Sequence, residues 1–271
     1  MAEIAQAEVT QDEQEALEVV RPPTQEELPF DDGMPMESQR HVMQLQLLMD
    51  PLRLLWEGRQ DVYVGGNMFV YFSLQQVRNR DFRGPDFFVV LDVPKRERKS
   101  WVVWEEGKGP DVVIELLSES TAAHDKGEKK DIYQNRLRVP EYYWFDPFSS
   151  ELAGFALHHG QYAAIAEDSQ GRLVSQFLGL ALVRWEGLYH EVEARWLRWA
   201  TLSGTLLPTP QEVATEAQRQ ATEAQRQATE AQRQATEAQR QATEAQRQAA
   251  TLEAMLERYR ARFGDLPDAE K

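Results

Sequence analysis

Two acidic residues stand inside apolar runs of this chain. Asp86 follows Gly84-Pro85 and precedes Phe87-Phe88-Val89-Val90, and Glu115 sits within Val112-Val113-Ile114-Glu115-Leu116-Leu117. A carboxylate on a buried strand costs roughly several kcal/mol unless it is paired, protonated or bound to a metal. Two such acids on adjacent strands suit one Mg²⁺, which takes one or two carboxylates and completes its shell with water and substrate phosphate. Downstream come His124, Asp125, Lys126, Lys129 and Lys130. A helical lysine aimed at such a metal would orient an attacking water or neutralise charge on a pentavalent phosphate.

Each residue also has a plain structural reading. Asp86 fits a turn or cap acid, and Glu115 fits a buried ion pair with an arginine. Asp111, in a Pro-Asp pair, fits a solvated strand entry. Lys126 and Lys130 fit surface charges, because one helical turn cannot aim all three lysines at one point. His41 would reach the site from the first helix, or it is simply a satisfied histidine. His158, His159 and His190 lack metal-ligand spacing. Gly65-Gly66 lacks the Lys-Ser/Thr or third glycine of a phosphate loop, and no Gly-x-Ser-x-Gly elbow occurs.

The composition narrows the chemistry further. The chain has 271 residues, 42% hydrophobic and 10% aromatic, enough for a real core, and no cysteine. Thiolate catalysis, disulfides and Cys-ligated zinc are therefore excluded, and carboxylates with a hard cation are the main option left. No apolar run approaches the ~20 residues of a membrane helix, and the N-terminus lacks a signal-peptide pattern. A cytoplasmic protein with no membrane partner is expected. The net charge of -15 looks hostile to nucleic acid, but -9 of it falls in residues 1–40, and residues 41–208 carry only -4. Any nucleic-acid contact of the core should be local, metal-bridged and salt-sensitive.

These residues need elements to position them. Helical spacing of apolar residues begins at His41 and continues to Trp56. Val62 to Phe72 reads as a strand with a bulge or tight turn at Gly65-Gly66-Asn67, and Gly84–Asp92 as another strand. Residues 111–118 lack simple alternation, which places that strand centrally with both faces covered. A helix spans His124 to Arg136, with Ser118, Ser120 or Thr121 as its cap. Tyr142–Pro147 is a further strand, 151–166 a hairpin turning at His159-Gly160, and Trp185, Trp196 and Trp199 pack back on the core. The order helix, three strands, helix, strand describes an α/β or α+β sandwich around a mixed sheet.

From Ala214 to Gln248 the heptad Ala-Thr-Glu-Ala-Gln-Arg-Gln occurs five times unchanged. These are strong helix formers, and five heptads make a rod of ~52 Å. An all-alanine seam buries little area. The tail therefore reads as a solvated helix, as a homo-oligomeric coiled coil locked by Leu252, Met255, Leu256 and Tyr259, or as a docking site for a partner.

The blocks Arg83-Gly84-Pro85-Asp86-Phe87, Pro110-Asp111-Val112-Val113-Ile114-Glu115-Leu116-Leu117-Ser118, Asp125-Lys126-Gly127-Glu128-Lys129, Tyr133 and Val139-Pro140-Glu141-Tyr142 agree in order and spacing with one family. Over about residues 28–207 the chain resembles the Uma-two family of restriction-endonuclease-like proteins, which have a PD-(D/E)XK nuclease fold. The resemblance implies a restriction-endonuclease-like α/β core with a mixed central sheet, Asp86 and Glu115 as metal ligands, and Mg²⁺ or Mn²⁺ as the cofactor. It implies Lys129 as the catalytic lysine, moved to the helix from the position held here by Leu117, and a nucleic-acid substrate, with DNA expected. His41, Asp111 and Asp125 are second-tier candidates. The expected organisation is an acidic, disordered arm over 1–30, the nuclease-like domain over 31–207 and the helical tail over 208–271. A non-catalytic nuclease-fold protein that binds or scaffolds and oligomerises through the tail is the alternative.

Overall fold

The computed structural model of the protein describes residues 21–30, 36, 38–75 and 84–264. The arm over residues 1–20, Arg83 and, apart from Met36, residues 31–37 lie outside the described residues. The chain forms two units, residues 1–210 and 211–271.

The first unit is built on a six-stranded sheet. Its strands are β1 (Val62–Gly66), β3 (Phe87–Leu91), β5 (Val112–Leu116), β6 (Glu141–Phe145), β7 (Leu152–His158) and β8 (Gln161–Ala164), and this is also their order across the sheet. β5 and β6 run parallel and every other neighbouring pair is antiparallel, so the sheet is mixed. Every residue of β5 is buried. Val112, Ile114 and Leu116 pack on one face with Leu45, Leu48 and Leu52 of helix α1 (Gln39–Leu55) and with Trp199. Val113 and Leu117 pack on the other face with Trp101, Tyr133 and Tyr142. Both faces are covered, which is why this strand reads as continuously apolar.

A helix over residues 122–137 (α3) covers the second face. It alternates α-type turns, Ala122–His124 and Lys130–Ile132, with wider π turns, Asp125–Lys129 and Tyr133–Leu137. Arg138 ends it in the left-handed conformation, φ 53°. Opposite lies a three-stranded antiparallel sheet, β9 (Leu173–Ser175), β10 (Leu180–Tyr189) and β11 (Val192–Thr201). Gln44 of α1 stitches to β11 twice: its Nε2 donates to Leu197 O at 2.8 Å, and its Oε1 accepts from Leu197 N at 2.9 Å. The Trp199 indole donates to Leu48 O at 3.0 Å. The expected core of helix, three strands, helix and strand is present, and the buried Trp196 and Trp199 pack on it.

Two details differ from the sequence reading. The segment from Val62 to Phe72 is not one bulged strand. Asn67 turns it with φ 47°, and Val70–Tyr71 (β2) then pairs in parallel with Trp101–Val102 (β4) in a separate two-stranded sheet. Residues 21–30 of the acidic segment are packed on that small sheet rather than loose. Leu28 is buried with Phe69, Tyr71 and Val102, the Trp104 indole donates to Pro23 O at 2.9 Å, and Gln25 N donates to Glu105 Oε2 at 3.0 Å. Glu105 lies in a single helical turn, α2 (Val103–Glu106).

The second unit is almost entirely one helix, α4 (Pro210–Phe263), with every residue exposed. Threonines bond back to the preceding turn, as Thr215 Oγ1 does to Gln211 O at 2.8 Å, and Arg219 pairs with Glu216 at 2.8 Å. No helix among the described residues is long and apolar enough to cross a membrane.

Candidate active site

Residues alternate between faces along a strand, so β5 presents Val113, Glu115 and Leu117 to α3. On β3, Phe88 and Val90 face the same way. The antiparallel register pairs Phe87 with Ile114 and Phe88 with Val113. One step further it sets Asp86 directly across from Glu115, on the same face. Asp86 N donates to Glu115 Oε2 at 3.2 Å, and Leu116 N donates to Asp86 Oδ2 at 2.7 Å. Asp86 O accepts from Asn67 N at 2.9 Å. The neighbouring Gly66 must be glycine: a Cβ there would stand 2.8 Å from Asp86 O and 2.8 Å from Leu45 Cδ1.

Helix α3 closes the site from above. Lys129 Nζ lies 3.2 Å from Glu115 Oε2 and 2.9 Å from Asp125 Oδ1, an ion pair that leaves this oxygen without a well-directed hydrogen bond. Tyr133 OH donates to Glu115 Oε1 at 2.7 Å. Asp125, Lys129 and Tyr133 are spaced by four. A regular helix drifts between such positions because a turn holds only 3.6 residues. The π turns hold more residues per turn, and all three side chains are thereby kept over β5. Tyr142 OH, from β6, donates to Asp125 O at 2.8 Å.

Electrostatics reflect this crowding. Burial pushes the Asp86 carboxyl well above the usual carboxylate range, and repulsion from Glu115 adds to it, against the pull of Lys129. Burial also raises the Glu115 carboxyl, with Lys129 opposing and Asp125 reinforcing. Desolvation alone would weaken the charge on Lys129. The surrounding Glu115, Asp125 and Asp86 outweigh it and hold the ammonium above the ordinary lysine value. Burial, then the charge of Glu115, raises the Tyr133 phenol well above its usual value.

The remaining sequence candidates have other positions. Asp111 stands at the opposite end of β5, buried, 2.9 Å from Lys108 Nζ and accepting from Leu91 N at 2.7 Å, so it is neither solvated nor near Glu115. His41 is buried at the start of α1. Its Nε2 lies 3.1 Å from Leu117 O and its Nδ1 2.8 Å from Ser38 Oγ. A bond to a carbonyl requires the proton on Nε2, so the imidazole braces the end of β5 rather than meeting the acids. Lys126 turns away to Glu151 at 2.8 Å, and Lys130 lies 3.5 Å from the Phe155 ring centroid. Glu115 is indeed in a buried ion pair, with a lysine rather than an arginine. Tyr133, named among the family blocks without a role, joins the site through its bond to Glu115.

The donor set suits a hard divalent cation. Asp86 and Glu115 are carboxylates held side by side, and burial disfavours the ionised form of each, with repulsion from Glu115 adding to it at Asp86 and from Asp125 at Glu115. A bound dication would relieve both. Among the described residues, no group of three or more His, Asp or Glu side chains is placed to hold a metal ion, so the two carboxylates of Asp86 and Glu115 are the donors on offer.

No curated protein matches the chain. A solved structure from Anabaena variabilis ATCC 29413, titled a "putative nuclease belonging to DUF820", matches at 15% identity over 58% of this chain and 90% of that chain, with a TM-score of 0.40. The sequence model of the Uma2 family, described as "Putative restriction endonuclease", matches residues 24–186, more than half of the chain. The chain belongs to the Uma2 family.

Proposed function

We propose that the protein is an endonuclease that hydrolyses phosphodiester bonds of DNA with Mg²⁺ or Mn²⁺. The observation that carries this reading is the cross-strand pair Asp86 and Glu115 with the Lys129 ammonium beside it. Asp86 and Glu115 would hold the cation. A bound divalent cation supplies Lewis-acid polarisation of the phosphate and acidifies a water. Lys129 keeps its proton at physiological pH and presents a fixed positive charge where negative charge develops on the phosphate. Asp125 and Tyr133 position that ammonium and the Glu115 carboxylate, respectively.

The experiment is plasmid nicking by the full chain with Mg²⁺ or Mn²⁺. Nicking is expected for the wild type and lost with EDTA, with Asp86→Ala and with Glu115→Ala. Equal nicking by the wild type and both variants would trace the activity to a contaminant and overturn the assignment.

A second reading, assembly through α4, is favoured by one observation. The heptad phase of Ala214 and Ala217 continues without a break to Ala249, Leu252, Leu256, Tyr259 and Phe263, and the last four are exposed. The charged Glu and Arg of the repeat fall on the opposite side, so the seam and its flanking glutamines carry no charge across five heptads. A second copy of this chain, parallel and in register, matches large residues to large ones. Light scattering should give at least twice the 31.2 kDa chain mass, falling to the monomer with Leu252→Asp/Leu256→Asp. A monomeric wild type at micromolar concentration removes this reading.

A further inference from the structure

We propose that Phe148 and Arg40 form a contact for one unpaired nucleotide of the strand that is cut, the base stacking on Phe148 and its phosphate meeting Arg40. This rests on the nuclease reading above and adds to it a substrate class, nucleic acid with an exposed base face. β5 and β6 are parallel, with Leu116 opposite Phe145, so the loop after β6 leaves the sheet at the end that holds Asp86 and Glu115. Lys126 of α3 ties the far end of this loop through Glu151. His41 ties the near side, with its ring 5.9 Å from that of Phe148 while its Nε2 holds Leu117 O.

Phe148 is 62% exposed, and the loop is built to keep it so. Asp146 Oδ1 accepts from Phe148 N at 2.8 Å and from Ser149 N at 3.1 Å, and Ser150 N donates to Asp146 O at 2.8 Å. The Arg40 guanidinium lies 5.1 Å from the Phe148 ring centroid and 5.6 Å from that of Trp196, and donates to Pro147 O at 3.3 Å. Among the described residues Arg40 has no carboxylate partner, although the chain carries 45 acids against 30 lysines and arginines. An exposed phenyl ring with a guanidinium over it is a pairing that holds single strands: bases stack on aromatics irrespective of sequence, and arginine takes the backbone. A base inside a duplex has no free face to offer, so the contact selects single-stranded or locally opened substrate. Stacking also needs no positive charge, which suits an acidic site.

The test measures binding of a fluorescein-labelled single strand, and of its duplex, to the full chain in EDTA by anisotropy, and KM and kcat for nicking in Mg²⁺. The wild type should bind the single strand more tightly than the duplex. Phe148→Ala should weaken single-strand binding about 5–150-fold and raise KM correspondingly with kcat within a few-fold, and Phe148→Trp should restore both. Arg40→Ala should reduce the slope of log affinity against log salt by about 0.7, which Phe148→Ala should leave unchanged. Unchanged binding by Phe148→Ala, or equal affinity for strand and duplex, overturns the proposal. A wild type that binds as described but never nicks overturns the catalytic reading alone, and one that neither binds nor nicks overturns both.

Discussion

Asp86 and Glu115 are direct cross-strand neighbours on the α3 face of the sheet, joined by the bond from Asp86 N to Glu115 Oε2. Like charges in that relationship oppose folding. The fold tolerates them because Lys129 stands beside Glu115 and because two backbone amides, those of Asp86 and Leu116, point at the carboxylates.

Removing one acid should therefore stabilise the protein while disabling it. Folding raises the Asp86 carboxyl above its ordinary value of 3.8. The folded state thus holds that proton more tightly, and the associated stability is complete below pH 3.8 and is lost as pH rises through the folded value. At pH 7.5, without divalent metal, Asp86→Asn should raise stability by on the order of 1 kcal/mol, or about 2–4 °C in Tm. The difference should vanish near pH 3, and nicking should fall by about 10²–10³-fold or more. Thermal melts across pH check this, and a variant less stable than the wild type at pH 7.5 would contradict it.

Tyr133 makes a sharper distinction between stability and chemistry. Tyr133→Phe keeps the ring packing against Tyr142, 5.3 Å away, and deletes only the donor to Glu115 Oε1. A hydrogen bond to a charged group contributes about 1.5–3 kcal/mol. A loss of that size in urea denaturation is expected, with about a tenfold drop in kcat and KM unchanged.

Gly66→Ala tests the backbone support of Asp86. The new methyl meets Asp86 O, Leu45 Cδ1 and Met49 Sδ, each at 2.8 Å. Overpacking of this kind costs about 1–3 kcal/mol. Asp86 moves with its carbonyl, so nicking should fall at least about tenfold, whereas Gly58→Ala, with open space around its Cβ, should change neither stability nor rate.

Glu141 is a buried acid whose partners are hydroxyl and amide donors. Its carboxylate is buried and accepts from Ser175 Oγ, from Tyr143 OH at 3.1 Å and from Gln176 N at 2.7 Å, fastening β9 to β6. Glu141→Ala should cost about 3–5 kcal/mol by orphaning those donors. Surviving folded protein should keep the wild-type KM, which a steady-state assay below the melting range will show.

Glu141 also shows how far sequence reading reaches. It borders an apolar strand just as Asp86 does, and both are acids near buried aromatics. What separates them is the company each keeps: hydroxyl and amide donors around Glu141, another acid and a lysine around Asp86. Pattern alone identified the central strand and the pair Asp86 and Glu115, because β5 shows no alternation and an acid there is conspicuous. Lys129 is singled out among three lysines only by the family blocks, and it is the one that meets Glu115. Tyr133 stands among the family blocks without a readable role, since helical periodicity assumes 3.6 residues per turn and the π turns change that count. The β2–β4 sheet escaped because each strand is two residues long and its partner lies about thirty positions away, too little signal for any periodicity. Residues 21–30 read as loose because their anchors, Pro23, Gln25 and Leu28, are isolated positions rather than a repeating pattern.

The repeat in α4 carries a consequence for length. Each copy is seven residues and returns the same residue types to the same phase, so adding or deleting a whole copy leaves Leu252, Leu256, Tyr259 and Phe263 on the seam they now occupy. The terminal cluster would move toward or away from Pro210 in steps of about 10.5 Å, turning only about 20° per copy on a straight helix. Such a segment has the geometry of a graduated spacer, whose reach is set by counting copies and whose residue types recur at every count.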